Sequence, residues 1–272
     1  MDIKFPVPNN DVETQVTHMP ITTHTTLPNL RLFWFRCAIA YLEAVVCRVV
    51  TPRLEKLQIQ VFEEPTFSIL HLVQFINATK CLRFDCAEIE FSNKQARVET
   101  FVRETDVYAL AIKVYCEQLD SQVSSAAQIS NALSRAFSMT EHLTLKYQVH
   151  SESSEEHNDV DRIEWRNLLR SFSNVKTLFI EDGLVEKISR CLRVEDGEDP
   201  LELLPELQEL IYLGSRDTGD TFTSFIDARQ NADRHVTLVR HNRTPSSLES
   251  FFKLEAPAIT LARSEERKDP DT

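Results

Sequence analysis

The sequence predicts an α/β fold built as a solenoid, in which short parallel strands alternate with helices. Two observations predict it: a short leucine-containing segment recurs along the chain, and the segments between its copies carry apolar residues at helical spacing. With 42% hydrophobic and 26% charged residues, the 272-residue chain has the composition of a globular protein with a buried core. The alternative fold is a doubly wound α/β domain, which also alternates strands and helices.

The recurring unit has the form apolar-x-x-Leu-x-apolar, and LEKLQI at 54–59 is a complete example. Two weaker copies, centred on Leu82 and Leu143, lack the first apolar residue. The gaps between central leucines run from 25 to 35 residues, which is typical of leucine-rich repeats with insertions in the later units. We therefore expect about seven to eight irregular repeats, with the central residues Leu30, Leu57, Leu82, Leu110, Leu143, Leu178, Leu210 and Leu238.

Helices are expected between the strands, at 38–49, 69–76, 126–137, 165–172, 184–192 and 222–228. One strand and one helix cannot bury their apolar faces alone, so the stacked units predict a curved parallel sheet with helices on its convex side. Alternate strand residues such as Leu30 and Leu32 should point inward to the helices. The chain has only 4 glycines and no Gly-rich first turn, which disfavours a doubly wound nucleotide-binding domain.

The chain divides into four predicted segments. Residues 1–26 lack periodicity and read as a flexible polar arm, and residues 27–241 form the leucine-rich-repeat solenoid. Residues 242–262 include Phe251, Phe252 and Leu254 and are expected to form a C-terminal cap over the apolar end of the solenoid. Residues 263–272 are charged and read as a disordered tail.

Composition excludes several function classes. The net charge of −12 disfavours nucleic-acid binding, which requires clustered basic residues, and no stretch of about 18 apolar residues predicts a membrane span. None of the 6 cysteines forms a CxxC pair, so we expect no metal and free thiols in a reducing compartment, cytoplasmic or nuclear. We find no catalytic motif and expect no cofactor. The chain is therefore predicted to be non-enzymatic, with an unrecognised α/β enzyme as one alternative.

A binding surface is predicted on the concave side of the sheet, because strand residues between the inward positions must face it. Four of its charged members are basic and two are acidic, so we expect a mildly basic surface that binds an acidic or phosphorylated protein segment. Phe33 and Phe179 are the expected apolar anchors. The predicted surface consists of Arg31, Phe33, Gln58, Gln60, Arg83, Asp85, Lys113, Thr144, Lys146, Phe179 and Glu181.

Several repeat units carry a resemblance to a known family: LPNLRLFWF, TPRLEKLQIQVF, MTEHLTLKYQ, FSNVKTLFIEDG and LPELQELIYLG. They resemble the irregular leucine-rich repeats of fungal F-box-like proteins, over roughly residues 27–241. The resemblance implies a protein-interaction module that selects substrates for a ubiquitin ligase, with cullin–RING ligase subunits among its partners. We identify no F-box itself in this sequence. The alternative is a ligase-independent scaffold or decoy repeat protein that lacks the docking domain.

Overall fold

The computed structural model describes residues 2–4, 24–62, 69–79, 82, 84–103, 107–148, 162–195, 197–213 and 221–241. All of these residues belong to the first of two units of the chain, Met1–Asn242. The second unit, Arg243–Thr272, contains none of the described residues. The predicted cap at 242–262 and tail at 263–272 are therefore outside the described residues, as is most of the predicted arm at 1–26.

Twelve strands and seven α-helices occur in the described residues. The strands are β1 (Asp2–Lys4), β2 (Thr25–Thr26), β3 (Leu32–Cys37), β4 (Val49–Val50), β5 (Lys56–Val61), β6 (Cys86–Ser92), β7 (Gln95–Val102), β8 (Val107–Tyr115), β9 (His142–Gln148), β10 (Thr177–Ile180), β11 (Glu209–Leu213) and β12 (Thr237–His241). The helices are α1 (Ile39–Val46), α2 (Leu70–Ala78), α3 (Leu119–Ala132), α4 (Ser134–Phe137), α5 (Arg162–Arg170), α6 (Val185–Leu192) and α7 (Thr223–Asn231).

Ten of these strands form one sheet, in the order β1-β3-β5-β8-β7-β6-β9-β10-β11-β12. Every neighbouring pair is parallel except those of β7, which runs antiparallel to both β6 and β8. Strands β2 and β4 form a separate parallel pair. The prediction of an α/β fold with a large parallel sheet and helices is confirmed at this level.

An antiparallel meander interrupts the parallel order. After α2 the chain enters β6, turns at Asn93 and Lys94 into β7, and returns through β8 to lie beside β5. Helix α3 then leads to β9, on the far side of the meander beside β6. The prediction of a repeat strand centred on Leu82 is therefore wrong, because Leu82 precedes β6. The segments Cys86–Ser92 and Gln95–Val102, which have alternating burial, form a β-hairpin at this point of the chain instead.

One register line crosses the sheet through most of the predicted central leucines. Leu57 is paired with Leu110, and Leu143, Leu178, Leu210 and Leu238 are paired in succession. In the remaining two units the line runs through other residues: Phe33 pairs with Leu57, and Ala87 pairs with Leu143.

The first repeat differs from the prediction in its inward residues. Phe33 is 2% exposed and lies in the core with Phe35, whereas Leu32 is 46% exposed. The larger aromatic side chains of this strand occupy the core-facing positions, so the expected inward orientation of Leu32 is wrong.

The core is a single cluster between the helices and one face of the sheet. It contains strand residues such as Phe35, Ile59 and Leu145 together with helix residues such as Leu42 and Ile188. Buried residues from α1, α2, α3, α5, α6 and α7 belong to this same cluster or pack beside it, so the described helices lie against one face. Aromatic contacts join the layers, with Phe91 edge-on to Trp165 at a ring-centroid distance of 5.3 Å.

Two buried arginines hold the long connection between α6 and β11. Arg229 of α7 is fully buried and donates to the backbone carbonyls of Leu204 and Pro205, both at 3.1 Å. Arg166 of α5 forms ion pairs with Glu202 and with Glu198, the latter at 3.2 Å. Guanidinium groups suit this role because several donors can satisfy several acceptors at once.

The register line provides a matched test of the core. Leu178 is fully buried in β10, which has a neighbouring strand on each side, and Leu238 lies on the same line in the edge strand β12 but is 38% exposed. We expect Leu178→Ala to lower the free energy of unfolding by about 2–5 kcal/mol, because it leaves a cavity among packed side chains. Leu238→Ala should cost less than about 1 kcal/mol, because less apolar surface is buried there. Urea unfolding followed by circular dichroism measures both, and equal losses would contradict the register.

Candidate functional site

The candidate site lies on the side of the ten-stranded sheet opposite the core, which we call the second face. Side chains alternate along each strand, so residues between the core positions point to this face. One line of paired residues on it runs from Trp34 through Gln58, Ala111, Glu99, Glu88, Thr144, Phe179 and Ile211 to Val239.

Six of the predicted binding residues occupy strand positions on the second face. They are brought together by parallel pairing of β5 with β8 and of β9 with β10. Glu181 follows β10 directly, and its carboxylate accepts a hydrogen bond of 2.8 Å from the backbone N–H of Tyr147. The six strand residues are Gln58, Gln60, Lys113, Thr144, Lys146 and Phe179.

The other four predicted residues lie elsewhere. Phe33 is a core residue, so its predicted role as an exposed anchor is wrong. Arg31 precedes β3 and is exposed, with its guanidinium 3.4 Å from Glu55. Asp85 precedes β6, and its carboxylate accepts a 2.9 Å hydrogen bond from the backbone N–H of Arg103. Arg83 lies outside the described residues.

The second face carries mixed charge in place of the expected basic excess. Strands β6 and β7 contribute Glu88, Glu90 and Glu99, which the sequence analysis did not assign to it. Lys146 is 2.8 Å from Glu88, and Arg97 forms ion pairs with Glu99 and, at 3.4 Å, with Glu90. The glutamates therefore neutralise the basic residues in the middle of the sheet. The second face carries similar numbers of acidic and basic side chains there, so the predicted mild excess of positive charge is wrong.

Two carboxyl groups of this network have a raised pKa. Burial raises the pKa of Glu99, and the neighbouring Arg97 only partly offsets it. Burial also raises the pKa of Glu181, against the hydrogen bond from Tyr147 and the charge of Lys146, which lower it. The paired charges are therefore partly removed from water, where ion pairs interact more strongly but also cost more to desolvate.

An aromatic patch lies on the second face at the carboxyl ends of β3, β5 and β8. We define it as Arg36, Gln60, Phe62, Lys113 and Tyr115. The rings of Phe62 and Tyr115 are stacked at a centroid distance of 5.5 Å, and the Arg36 guanidinium lies 4.8 Å from the Phe62 centroid. The side-chain amide of Gln60 donates to the Tyr115 hydroxyl.

The cations of the aromatic patch differ from those in the middle of the sheet. Arg36 and Lys113 flank Gln60 in the register, and neither forms an ion pair with a residue that the structure describes. The sequence analysis included Gln60 and Lys113 but missed Arg36, Phe62 and Tyr115. Phe62 follows the last residue of β5, and Tyr115 is the last residue of β8. The alternation of apolar and polar residues does not predict the orientation of side chains at such positions, and only the parallel register of β5 with β8 brings these two together.

The second predicted anchor is also buried. Phe179 is 4% exposed, and it is paired with Ile211, which is buried as well. Neither belongs to the main core cluster, since both lie on the second face. Phe62 and Tyr115, which are half-buried, are therefore among the aromatic residues that the described part of this face presents to a partner, together with the half-buried Trp34 and with Tyr108, whose ring lies 5.7 Å from the Arg97 guanidinium.

Within the described ranges, no group of three or more His, Cys, Asp or Glu side chains is placed to hold a metal ion. Cys86, Cys116 and Cys191 are buried free thiols, and burial raises the pKa of Cys191 to about 12. None of the helices in this part of the chain is both long and apolar enough to cross a membrane.

Comparison of the chain with protein-family models, with curated proteins and with solved structures gives no match. The fold therefore assigns the chain to the class of mixed α/β proteins with a large, mostly parallel sheet.

Glu181 gives a pH-dependent prediction. Its pKa in the folded protein is raised above the ordinary value of 4.5, so the folded state binds the proton more tightly than the unfolded chain does. The stability that comes from this group is present below pH 4.5 and is lost as the pH rises through the raised pKa. We expect Glu181→Gln, whose amide oxygen can still accept from Tyr147, to reduce this loss.

The measurement is urea unfolding at a series of pH values, upward from pH 4.5. Glu117→Gln, at an exposed position, is the control and should keep the wild-type slope. A Glu181→Gln variant with the wild-type slope would contradict the assignment.

Proposed function

We propose that this chain is a protein-interaction module, built as an irregular leucine-rich-repeat solenoid, whose partner binds the second face at the aromatic patch. The patch carries the proposal because it combines stacked aromatic rings with two cations, Arg36 and Lys113, for which no direct ion pair with a described carboxylate is seen, although the charge of Lys113 also acts on Glu99. Tyr and Arg are enriched among the residues that dominate binding energy at protein interfaces.

The solenoid part of the proposal is supported by the strand register. Six predicted central leucines share one line, and from β9 onward each parallel strand is followed by its sheet neighbour after a helical connection. The β6–β8 meander is then an insertion within the repeat series. The expected layer arrangement, helices on one side and a binding face on the other, agrees with the single core cluster.

The expected partner is an acidic or phosphorylated protein segment. Arg36 and Lys113 lie on either side of Gln60 in adjacent strands, so their backbones are roughly 10 Å apart. An extended acidic segment can reach both cations while its apolar side chains contact Phe62 and Tyr115. The charge favours fast and specific association, and the aromatic contacts supply most of the affinity.

The ligase link rests on the family resemblance alone. The repeats of F-box-like proteins select substrates for cullin–RING ubiquitin ligases, and this chain resembles those repeats. The second candidate, a scaffold or decoy without the ligase link, would use the same binding face. The observation that separates the two is whether ligase subunits accompany the partner.

The test compares two double charge reversals in quantitative affinity capture from lysate of the source organism. Arg36→Glu with Lys113→Glu alters the aromatic patch. Arg135→Glu with Lys187→Glu makes the same change of charge on helices α4 and α6, away from the second face. We expect the patch variant to lose its specific partner by about tenfold or more, and the helix variant to retain it.

Mass spectrometry of the captured proteins decides the outcome. Equal recovery of every specific partner with the patch variant and the helix variant would contradict the proposed binding site. Cullin–RING subunits recovered with the wild-type chain support the adaptor role. A specific partner without these subunits supports the scaffold.

A further inference from the structure

The outer edge of β3 carries a partly occupied site for an additional strand. On that side β3 is paired with β1 over three residues, Trp34, Phe35 and Arg36. Leu32, Phe33 and Cys37 of the same strand have no partner on this side within the described residues. An edge with unpaired backbone N–H and C=O groups is a template for another extended segment.

The chain's own strand is a poor match for this edge in two respects. The indole N–H of Trp34 is buried and meets no hydrogen-bond acceptor while β1 is in place. A strand of three residues forms few backbone hydrogen bonds, so its pairing depends largely on its covalent attachment through residues 5–24.

We propose that the outer edge of β3 is a docking site for an extended strand of a protein partner, and that residues 2–4 occupy it until the partner strand displaces them. The partner strand runs parallel to β3 and covers more than three of its residues. This binding by strand addition uses the sheet edge, whereas the proposed function uses the second face.

The register defines the chemistry of the partner strand. Its residues paired with Phe33 and Phe35 lie on the core side of the sheet and are apolar, because both phenylalanines are buried in the core. Its residue paired with Arg36 lies on the second face and is acidic. Main-chain hydrogen bonds supply the affinity, and these alternate side chains supply the specificity.

The probe is the labelled peptide Lys-Ile-Asp-Ile-Glu-Val, whose six residues match β3 with the glutamate opposite Arg36. A second peptide with Lys in place of the glutamate reproduces the charge of β1, and a third with Pro opposite Phe35 cannot complete the ladder. The protein is the full chain, as wild type, as Ile3→Pro to release the edge, and as Ile3→Val to keep β1 paired. A chain that lacks residues 1–4 is the second released form.

We expect the glutamate peptide to bind Ile3→Pro and the truncated chain at least about tenfold more tightly than it binds wild type or Ile3→Val, as measured by fluorescence anisotropy. The lysine peptide should bind more weakly than the glutamate peptide, and the proline peptide should not bind. Hydrogen exchange of residues 32–37 should rise in Ile3→Pro and fall again with saturating glutamate peptide.

Two results would overturn the proposal: equal peptide affinity in wild type and the released forms, or no peptide binding to either released form. Ile3→Pro changes no residue of the aromatic patch, and partner capture with Lys113→Glu, a patch residue in a strand that does not pair with β1, tests the proposed function separately.

Discussion

The shared strand register is the constraint on which the rest of this structure depends. Parallel strands joined by helices on one side must place an apolar residue at every second position, and those positions must align across the sheet to form one core. The line from Phe33 through Leu57 and Leu110 to Leu178 and Leu210 meets this requirement. Once these residues are committed to the core, the residues between them are forced onto the second face, whatever their charge.

The second face therefore has to satisfy its own charges. The meander brings Glu88, Glu90 and Glu99 into the middle of the sheet, where carboxylates that are partly removed from water need cationic neighbours. Arg97 and Lys146 provide them, and the remaining desolvation is seen in the raised pKa of Glu99. Charge on this face is thus mostly structural. In the proposed patch, no direct ion pair with a described carboxylate is seen for Arg36 and Lys113, which is why the proposed function assigns these cations to a partner.

The sequence was informative wherever one physical requirement repeated along the chain. The core leucines were found because the same alternation recurs at each unit, and Phe33 was misplaced because a Leu-based alignment cannot recognise Phe in the same role. The hairpin of β6 and β7 had a signal in CAEIEFS and QARVETFV, whose alternation is of period two, but the expected spacing of the repeats obscured it. Phe62 and Tyr115 are 53 residues apart, and only tertiary pairing of β5 with β8 stacks them.

Strand β3 connects the two proposed binding sites. Arg36 belongs to the aromatic patch and is also the residue paired with Lys4 of β1. An acidic residue opposite Arg36 in a strand bound at the edge would form an ion pair with the same guanidinium that the patch offers to its partner. Binding of a strand at the edge must therefore change the affinity of the patch for its partner, and the reverse. By thermodynamic reciprocity, a partner that binds Arg36 through its carboxylate weakens an acidic strand at the edge to the same degree that the strand weakens the partner. Arg36 of β3 is therefore the residue through which binding at the proposed edge site would alter the charge available at the proposed patch.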